Sequence, residues 1–240
     1  MIVRLETEET RRVRAAAAEA LFKITGQHFY DFADIWRRWW KENGDTFVVP
    51  KEVPMKRPPR EGGTVASFFG LPLDSDRVIF VIDQSGSMSA ADVRAKENKT
   101  RLDTARSEVL AAVSRLKDND RINLILFETT IHPWRTKLTK LSARVRSDLE
   151  SHLKKQDPLG GTNLYDGLEA ALLTKGVDTV FLLSDGVPGS GKYVHHADIV
   201  RAVRRLNQTR RITIHCVSVG MQSSLLRELA ASNGGKYVQR

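Results

Sequence analysis

A run of five apolar residues, 78–82, leads directly into Asp83 and constrains the fold more than any other feature of the sequence. An uninterrupted apolar run of this length is typical of a strand buried on both faces of a sheet. In open α/β sheets, functional side chains gather where such strands end. Residues 83–87 read Asp-Gln-Ser-Gly-Ser, so one carboxylate and two hydroxyl groups follow the strand. These hard oxygen donors suit Mg²⁺ better than Zn²⁺.

Strand-like and helix-like segments alternate from Arg77 to the end of the chain. Strands are predicted at 77–83, 121–128, about 130–135, 178–184, 211–218 and 236–238, and helices at about 101–117, 142–155, 164–174, 196–207 and 222–232. Such alternation predicts an α/β fold with a doubly wound, mostly parallel sheet and helices on both faces. The segment at 130–135 follows its predecessor too closely for a crossover, so we expect an antiparallel edge strand there.

Two further segments supply partners for the Asp-Gln-Ser-Gly-Ser segment. Residues 160–163, Gly-Gly-Thr-Asn, open a predicted helix, and residues 180–185 form a second apolar run that ends in Ser-Asp. In order and spacing, the three segments resemble the metal-ion-dependent adhesion site of the von Willebrand factor A domain. The resemblance covers about residues 76–240 and implies a Rossmann-like fold.

The resemblance also implies a divalent-metal site with named ligands. The hydroxyl groups of Ser85, Ser87 and Thr162 would bind the ion directly, and Asp83 and Asp185 would bind it directly or through water. The expected ion is Mg²⁺, with Mn²⁺ or Ca²⁺ as alternatives, and an Asp or Glu of a partner protein would complete its coordination. Three glycines meet the need for tight turns in these segments: Gly86, Gly160 and Gly161.

We therefore predict a metal-dependent protein-binding adaptor and not an enzyme. Ser85 lacks the Gly-x-Ser-x-Gly context of a hydrolase nucleophile, and the sequence contains no Gly-x4-Gly-Lys-Ser/Thr phosphate loop. A metal-dependent hydrolase would need a general base beyond Asp83 and Asp185, and the sequence offers no candidate. By the same resemblance, related intracellular domains act in larger assemblies, including ones with AAA+ ATPases.

The net charge of +9 leaves one alternative function open. Residues 1–76 carry equal numbers of basic and acidic side chains, so the whole excess belongs to the A-like domain. No Lys/Arg block dominates, which favours a contribution to solubility over a role in binding. The alternative is a nucleic-acid-associated binding module that uses this basic surface, because a net field attracts acidic partners.

The first part of the chain is predicted to be a helical appendage, residues 1–49, followed by a Pro/Gly-rich linker, residues 50–75. The domain proper would then cover residues 76–240. Thr10 and Gly26 are the expected ends of a helix over residues 11–24. Its Ala-rich sequence resembles the second helix of a HEAT repeat, a unit that must stack on others to bury its apolar face.

A second helix is predicted at residues 34–42. Trp36, Trp39 and Trp40 stand at i, i+3 and i+4 and therefore share one helix face. Such a stripe could stack on bases, but it is more often core. We predict that the three tryptophans are buried against the Ala-rich helix.

Cysteine content and hydropathy limit the kinds of site and the cellular location that the sequence allows. The single cysteine, Cys216, excludes an internal disulfide and a Cys-based zinc site, and it lies in a predicted buried strand. No stretch is long and apolar enough to span a membrane, so we expect no membrane partner. The acidic start lacks the apolar core of a signal peptide, so a cytoplasmic location is expected if Met1 is the native start.

Overall fold

The computed structural model describes residues 1–8, 10–52, 66–95 and 98–240. The chain divides into two compact units, Met1–Val65 and Ala66–Arg240. Part of the predicted linker, 53–65, lies outside the described residues, and its remainder from Ala66 onward belongs to the second unit. The predicted domain limits at residues 49 and 75 stay predictions.

The first unit consists of helices in its described part. They are α1 (Ile2–Thr7), α2 (Arg11–Thr25) and α3 (Ala33–Asn43). The sequence pattern predicted α2 and α3 but missed the short α1. The end of α2 is set by Gly26, which takes a φ of 72° and donates its amide to the Phe22 carbonyl at 2.8 Å. This left-handed cap is favourable for glycine because it has no Cβ. The HEAT resemblance of this unit stays a prediction.

The tryptophan stripe of α3 is only partly buried, which corrects the prediction. Trp36 is 0% exposed and packs in a cluster with Leu5, Ala18 and Leu21, so it does meet the Ala-rich helix. Trp39 is half-buried at the edge of this cluster, whereas Trp40 is 46% exposed. At about 100° per residue, Trp39 and Trp40 lie on opposite sides of Trp36, at about 60° and about 40° from it. The cluster covers the side of Trp39 and leaves the side of Trp40 exposed.

The second unit is built on a seven-stranded sheet within the described residues. A separate hairpin, β1 (Ser67–Phe68) and β2 (Leu71–Pro72), precedes it. The sheet order is β5-β4-β3-β7-β8-β9, with β6 also paired to β4. β5 and β6 run antiparallel to β4, and the other pairings are parallel. This confirms the predicted mostly parallel sheet and the antiparallel edge strand at β5, whereas the short antiparallel β6 was not predicted. The strands are β3 (Arg77–Asp83), β4 (Arg121–Phe127), β5 (Ile131–Pro133), β6 (Thr139–Lys140), β7 (Thr179–Ser184), β8 (Thr213–Ser218) and β9 (Tyr237–Gln239).

Helices cover both faces of the sheet, as predicted. The sheet residues alternate between two apolar clusters, with Val78 and Phe80 on one face and Ile79 and Val81 on the other. The first cluster is completed by α4 (Arg101–Ser114) and α5 (Ala143–Lys154), and the second by α6 (Leu164–Leu173), α7 (His196–Asn207) and α8 (Ser224–Ser232). Both faces are therefore buried, which explains the uninterrupted apolar runs in β3 and β7.

The hairpin of β1 and β2 was not predicted as an element of the core. Phe68 is fully buried, and its ring lies 5.3 Å from that of Phe80 and 5.7 Å from that of Phe181. Its turn requires positive φ at Phe69 (49°) and Gly70 (79°). A phenylalanine at positive φ is uncommon, and its burial in the core offsets the cost.

Cys216 is a free thiol that is buried in β8, and burial raises the pKa of its thiol. A neutral buried thiol is unreactive, which agrees with a structural role. Across the described ranges, no helix combines the length and apolar character needed to cross a membrane.

Candidate metal site

The three predicted segments meet at the carboxyl edge of the sheet, where β3 and β7 end side by side. β3 ends at Asp83, and its parallel neighbour β7 ends immediately before Asp185. The loop that precedes α6 is joined to them, because the Gly86 amide donates to the Gly160 carbonyl at 3.1 Å. The topology thus gathers side chains that are far apart in the sequence.

Hydroxyl and carboxylate oxygens form a compact cluster at this edge. The hydroxyl oxygens of Ser85 and Ser87 are 3.1 Å apart, and the Ser87 hydroxyl donates to Asp185 Oδ1 at 2.7 Å. Thr162 lies beside them: a Cβ built on Gly186 would be 3.5 Å from Thr162 Oγ1 and 3.7 Å from Ser87 Oγ. The absence of a side chain at Gly186 keeps the space between these two hydroxyls open.

Asp83 lies beneath this cluster and is fully buried. One of its oxygens accepts the Ser85 amide at 2.8 Å, and the other accepts the Ser184 hydroxyl. Burial raises the pKa of Asp83 to about 6, helped by repulsion from Asp185 and opposed by the hydrogen bonds from Ser184 and Ser85. Asp83 therefore orders the turn that carries the first serine, and a nearby cation would favour its charged form.

Asp185 is shared between the hydroxyl cluster and an arginine. Its side chain is 0% exposed, and its Oδ2 lies 2.5 Å from Nη1 of Arg101 at the start of α4. The guanidinium fits here because Gly220, after β8, has no side chain: a Cβ built on Gly220 would lie 2.6 Å from Arg101 Nη2. Arg101 thus compensates the charge of Asp185 on the side opposite to Ser87.

The loop that carries Thr162 is held by two residues that follow β4. Thr129 Oγ1 accepts the Gly161 amide at 2.8 Å, and Gly160 takes a φ of 68° against the Glu128 carboxylate. Burial acts to raise the pKa of Glu128, but hydrogen bonds from Thr130, His132 and the Thr129 amide outweigh it and lower that pKa to about 2. The carboxylate leaves no room for a side chain at position 160, and the main-chain carbonyl of Glu128 accepts the Asn163 amide at 2.6 Å, which joins the loop to the end of β4.

All five predicted site residues are brought to one edge, and the structure adds three that the sequence reasoning missed. Ser184 holds Asp83, Arg101 pairs with Asp185, and Glu128 holds the loop of Thr162. Glu128 directly follows the apolar run of β4, as Asp83 and Asp185 follow theirs, so strand-end position could have identified it. Nothing in local spacing points to Arg101, because its partner lies in a distant segment.

The donor set fits a hard divalent cation. Hydroxyl and carboxylate oxygens are the ligands that Mg²⁺ and Mn²⁺ accept, and the cluster contains no nitrogen or sulfur donor. Thr162 Oγ1 has no hydrogen-bond partner in the described parts of the chain, so it is free to bind. No group of three or more His, Cys, Asp or Glu side chains suits a metal among the described residues, which leaves this hydroxyl-rich cluster as the candidate.

A family model described as the von Willebrand factor type A domain matches residues 76–239. The chain belongs to this family. The match covers the whole sheet and all the residues of the candidate site. Von Willebrand factor type A domains generally mediate protein–protein interactions, and they often bind a divalent metal.

Known relatives of this von Willebrand factor type A protein include much longer chains. The inter-alpha-trypsin inhibitor heavy chain H4 of Homo sapiens is 30% identical over 192 residues, which cover 73% of this chain and 20% of that protein. The chain therefore spans about a fifth of the length of that relative.

Solved structures share the fold at lower identity. A von Willebrand factor type A protein from Catenulispora acidiphila has a TM-score of 0.58 and 20% identity, covering 68% of this chain and 38% of that one. The manganese-loaded TRAP protein of Plasmodium vivax has a TM-score of 0.51 and 16% identity, covering 68% of this chain and 67% of that one. At these identities the likeness concerns the fold.

Proposed function

We propose that the second unit is a metal-dependent protein-binding module, in which a divalent ion at the carboxyl edge takes a carboxylate from a partner protein. The observation that carries this proposal is the cluster of Ser85, Ser87 and Asp185 with the unpaired hydroxyl of Thr162 beside it. Mg²⁺ or Mn²⁺ would be held by the hydroxyl groups of Ser85, Ser87 and Thr162, with Asp83 and Asp185 binding directly or through water.

The protein's own residues prepare this site for an anionic ligand. Three of the five proposed ligands are neutral hydroxyls, so a bound divalent ion would keep much of its charge and would attract a partner's Asp or Glu. The Asp83 carboxylate fixes the Ser85 amide, and Glu128 and Thr129 fix the loop of Thr162. These contacts place the hydroxyls before the ion arrives, which lowers the ordering cost of binding.

Two comparisons support this direction. One neighbour in fold is described as manganese-loaded, and the relative named above is described as an inhibitor heavy chain. We propose a role in binding, without catalysis, for this chain. Membership of a larger assembly, including one built around an AAA+ ATPase, belongs to the same proposal.

Calorimetric titration with Mg²⁺ tests the site directly. Ser85→Ala and Thr162→Ala each remove one hydroxyl ligand, so each should weaken Mg²⁺ binding by about tenfold or more. Thr136→Ala is the matched control, since this exposed threonine lies in the loop between β5 and β6. Equal affinity in wild type, both site variants and the control would remove these residues from consideration as ligands.

A second candidate function rests on the opposite edge of the sheet. A cavity of about 550 Å³ there is lined by Arg121, Lys137 and Lys175, and Lys140 faces Arg121 across paired strands. None of these four cations forms an ion pair with a described residue. This basic surface is where nucleic acid would bind.

Filter binding of a duplex DNA and a single-stranded RNA across a salt series checks this second candidate. Phosphate contacts predict a steep loss of affinity with salt, and Lys137→Ala with Lys175→Ala should reduce the slope by about two. Binding that persists unchanged in the double variant would exclude this surface.

A further inference from the structure

Large apolar side chains are exposed on the second unit almost entirely around the candidate metal site. In the described part of that unit, four of the five are in loops at the carboxyl edge: Val93, Leu159, Val187 and Met221. The fifth, Leu173, ends α6 at the amino edge. An apolar rim concentrated around one polar site is typical of an interaction surface.

A cavity of about 200 Å³ opens within this rim, between the ends of β7 and β8. It begins at Ser184 and Asp185, so it shares a wall with the candidate metal site. Most of its remaining wall surface is apolar and comes from Val187, Pro188, Val194, Met221 and Leu225. Polar groups are added by His196, Ser218, Gln222, Ser223 and Ser224. The volume is sufficient for one branched or aromatic side chain.

A metal ion at the candidate site would lie next to this cavity, because Asp185 belongs to both. Asp185 Oδ2 is paired with Arg101, whose guanidinium lies against Gly220, the neighbour of Met221 in the loop after β8. Because Arg101 compensates Asp185, the charge that would attract an acid beside the cavity is that of the bound ion. A ligand with a carboxylate beside an apolar side chain would place the carboxylate at the ion and the apolar side chain in the cavity.

We propose that the partner is a protein segment with an Asp or Glu directly beside a large apolar residue, and that this apolar side chain occupies the cavity between β7 and β8. The proposal rests on the metal-dependent function proposed above. The metal ion would bind the acidic side chain, and the cavity would determine which acidic segments are bound.

The probe is a phage-displayed peptide library with one fixed Asp and random flanking residues, selected on the full chain in Mg²⁺ and eluted with chelator. Selected peptides are then measured against wild type, Val187→Ser/Met221→Ser and Leu173→Ser. Val187 and Met221 are 77% and 56% exposed, so these changes leave the core intact, and Leu173 is a matched control at 51%. Mg²⁺ titration of each variant separates effects on the metal from effects on the cavity.

We expect enriched peptides to carry Leu, Ile, Met or Phe next to the Asp, and to lose about tenfold or more in affinity for the double variant alone, with Mg²⁺ affinity unchanged. Mg²⁺-dependent peptides without an apolar preference, bound equally by all variants, would overturn this proposal and leave the metal-dependent function standing. A library that yields no Mg²⁺-dependent peptide would overturn both. If sedimentation of the wild type shows a dimer that the double variant lacks, the cavity is filled by a second copy and the proposal is wrong.

Discussion

Strand β7 carries an aspartate at each end, and each aspartate is bonded to a serine and an arginine. At the amino end, Asp178 accepts the Ser75 hydroxyl at 2.5 Å and the Arg77 guanidinium at 3.1 and 3.3 Å. The Thr179 hydroxyl adds a further bond at 2.9 Å. Both hydroxyls in this cluster therefore donate to the same carboxylate, and the hydrogen bonds of the cluster are made within it.

At the carboxyl end the same residue types are arranged differently. Asp185 accepts the Ser87 hydroxyl at 2.7 Å and pairs with Arg101 at 2.5 Å. Two further hydroxyls, Ser85 and Thr162, stand beside this pair without bonding to Asp185. The comparison shows that similar residue types can be arranged differently: at the carboxyl end not every hydroxyl is taken up by the aspartate, and Thr162 Oγ1 is the clearest example. We expect the amino-end cluster to stabilise the fold, and we propose that the carboxyl-end cluster binds a metal ion.

The largest expected effect that tests this comparison is a loss of Mg²⁺ affinity caused by a substitution at the carboxyl end. Asp185→Asn removes the charged ligand, and we expect Mg²⁺ affinity to fall by about 100-fold. The free energy of unfolding should also fall, by about 2 kcal/mol or more, because a 0% exposed carboxylate loses its pair with the 25% exposed Arg101, although relief of the repulsion with Asp83 offsets part of this cost. Calorimetry and urea unfolding of the same preparation measure the two quantities. A large loss of stability with intact Mg²⁺ binding would place Asp185 among the structural residues.

The reciprocal change is Asp178→Asn at the amino end. It leaves Arg77 without its carboxylate and disturbs the Ser75 hydrogen bond, so the free energy of unfolding should fall by about 2 kcal/mol. This is below the cost of breaking a fully buried pair, since the Arg77 side chain is 37% exposed. Mg²⁺ affinity should match that of wild type. A weakened metal site in this variant would show that the two ends are coupled.

A smaller effect, of opposite sign, is expected from the arginine at the carboxyl end. Arg101→Gln removes a cation that competes for Asp185 Oδ2, so Mg²⁺ affinity should rise by about three- to tenfold. Arg106→Gln is the matched control on the same helix, because Arg106 pairs with Asp103 instead. If Arg101→Gln lowers Mg²⁺ affinity while Arg106→Gln does not, Arg101 positions Asp185 and does not compete for it.

The sheet could be predicted from local pattern, and the resemblance to the von Willebrand factor A domain indicated the five residues that the structure brings to one edge. Apolar runs mark the buried strands, and parallel strands bring their ends to one edge. The sequence did not predict Arg101 or Ser184, because those contacts arise only when distant segments meet. The exposure of Trp40 was missed for a related reason: helical spacing shows which residues share a face, but not how wide an arc the neighbouring helices cover. The turn at Phe69 was also missed, because its positive φ is offset by burial of the side chain in the core, and the backbone propensity of phenylalanine gives no sign of that burial.

An anomalous difference map from crystals of the full chain soaked in MnCl₂ tests the central claim most directly. We predict one strong manganese peak at the carboxyl edge, within bonding distance of Ser85, Ser87 and Thr162 and close to Asp185. Crystals of Thr162→Ala should show a weaker peak at the same place. A map of wild-type crystals with no peak between these side chains, or with its main peak at another part of the protein, would contradict the account.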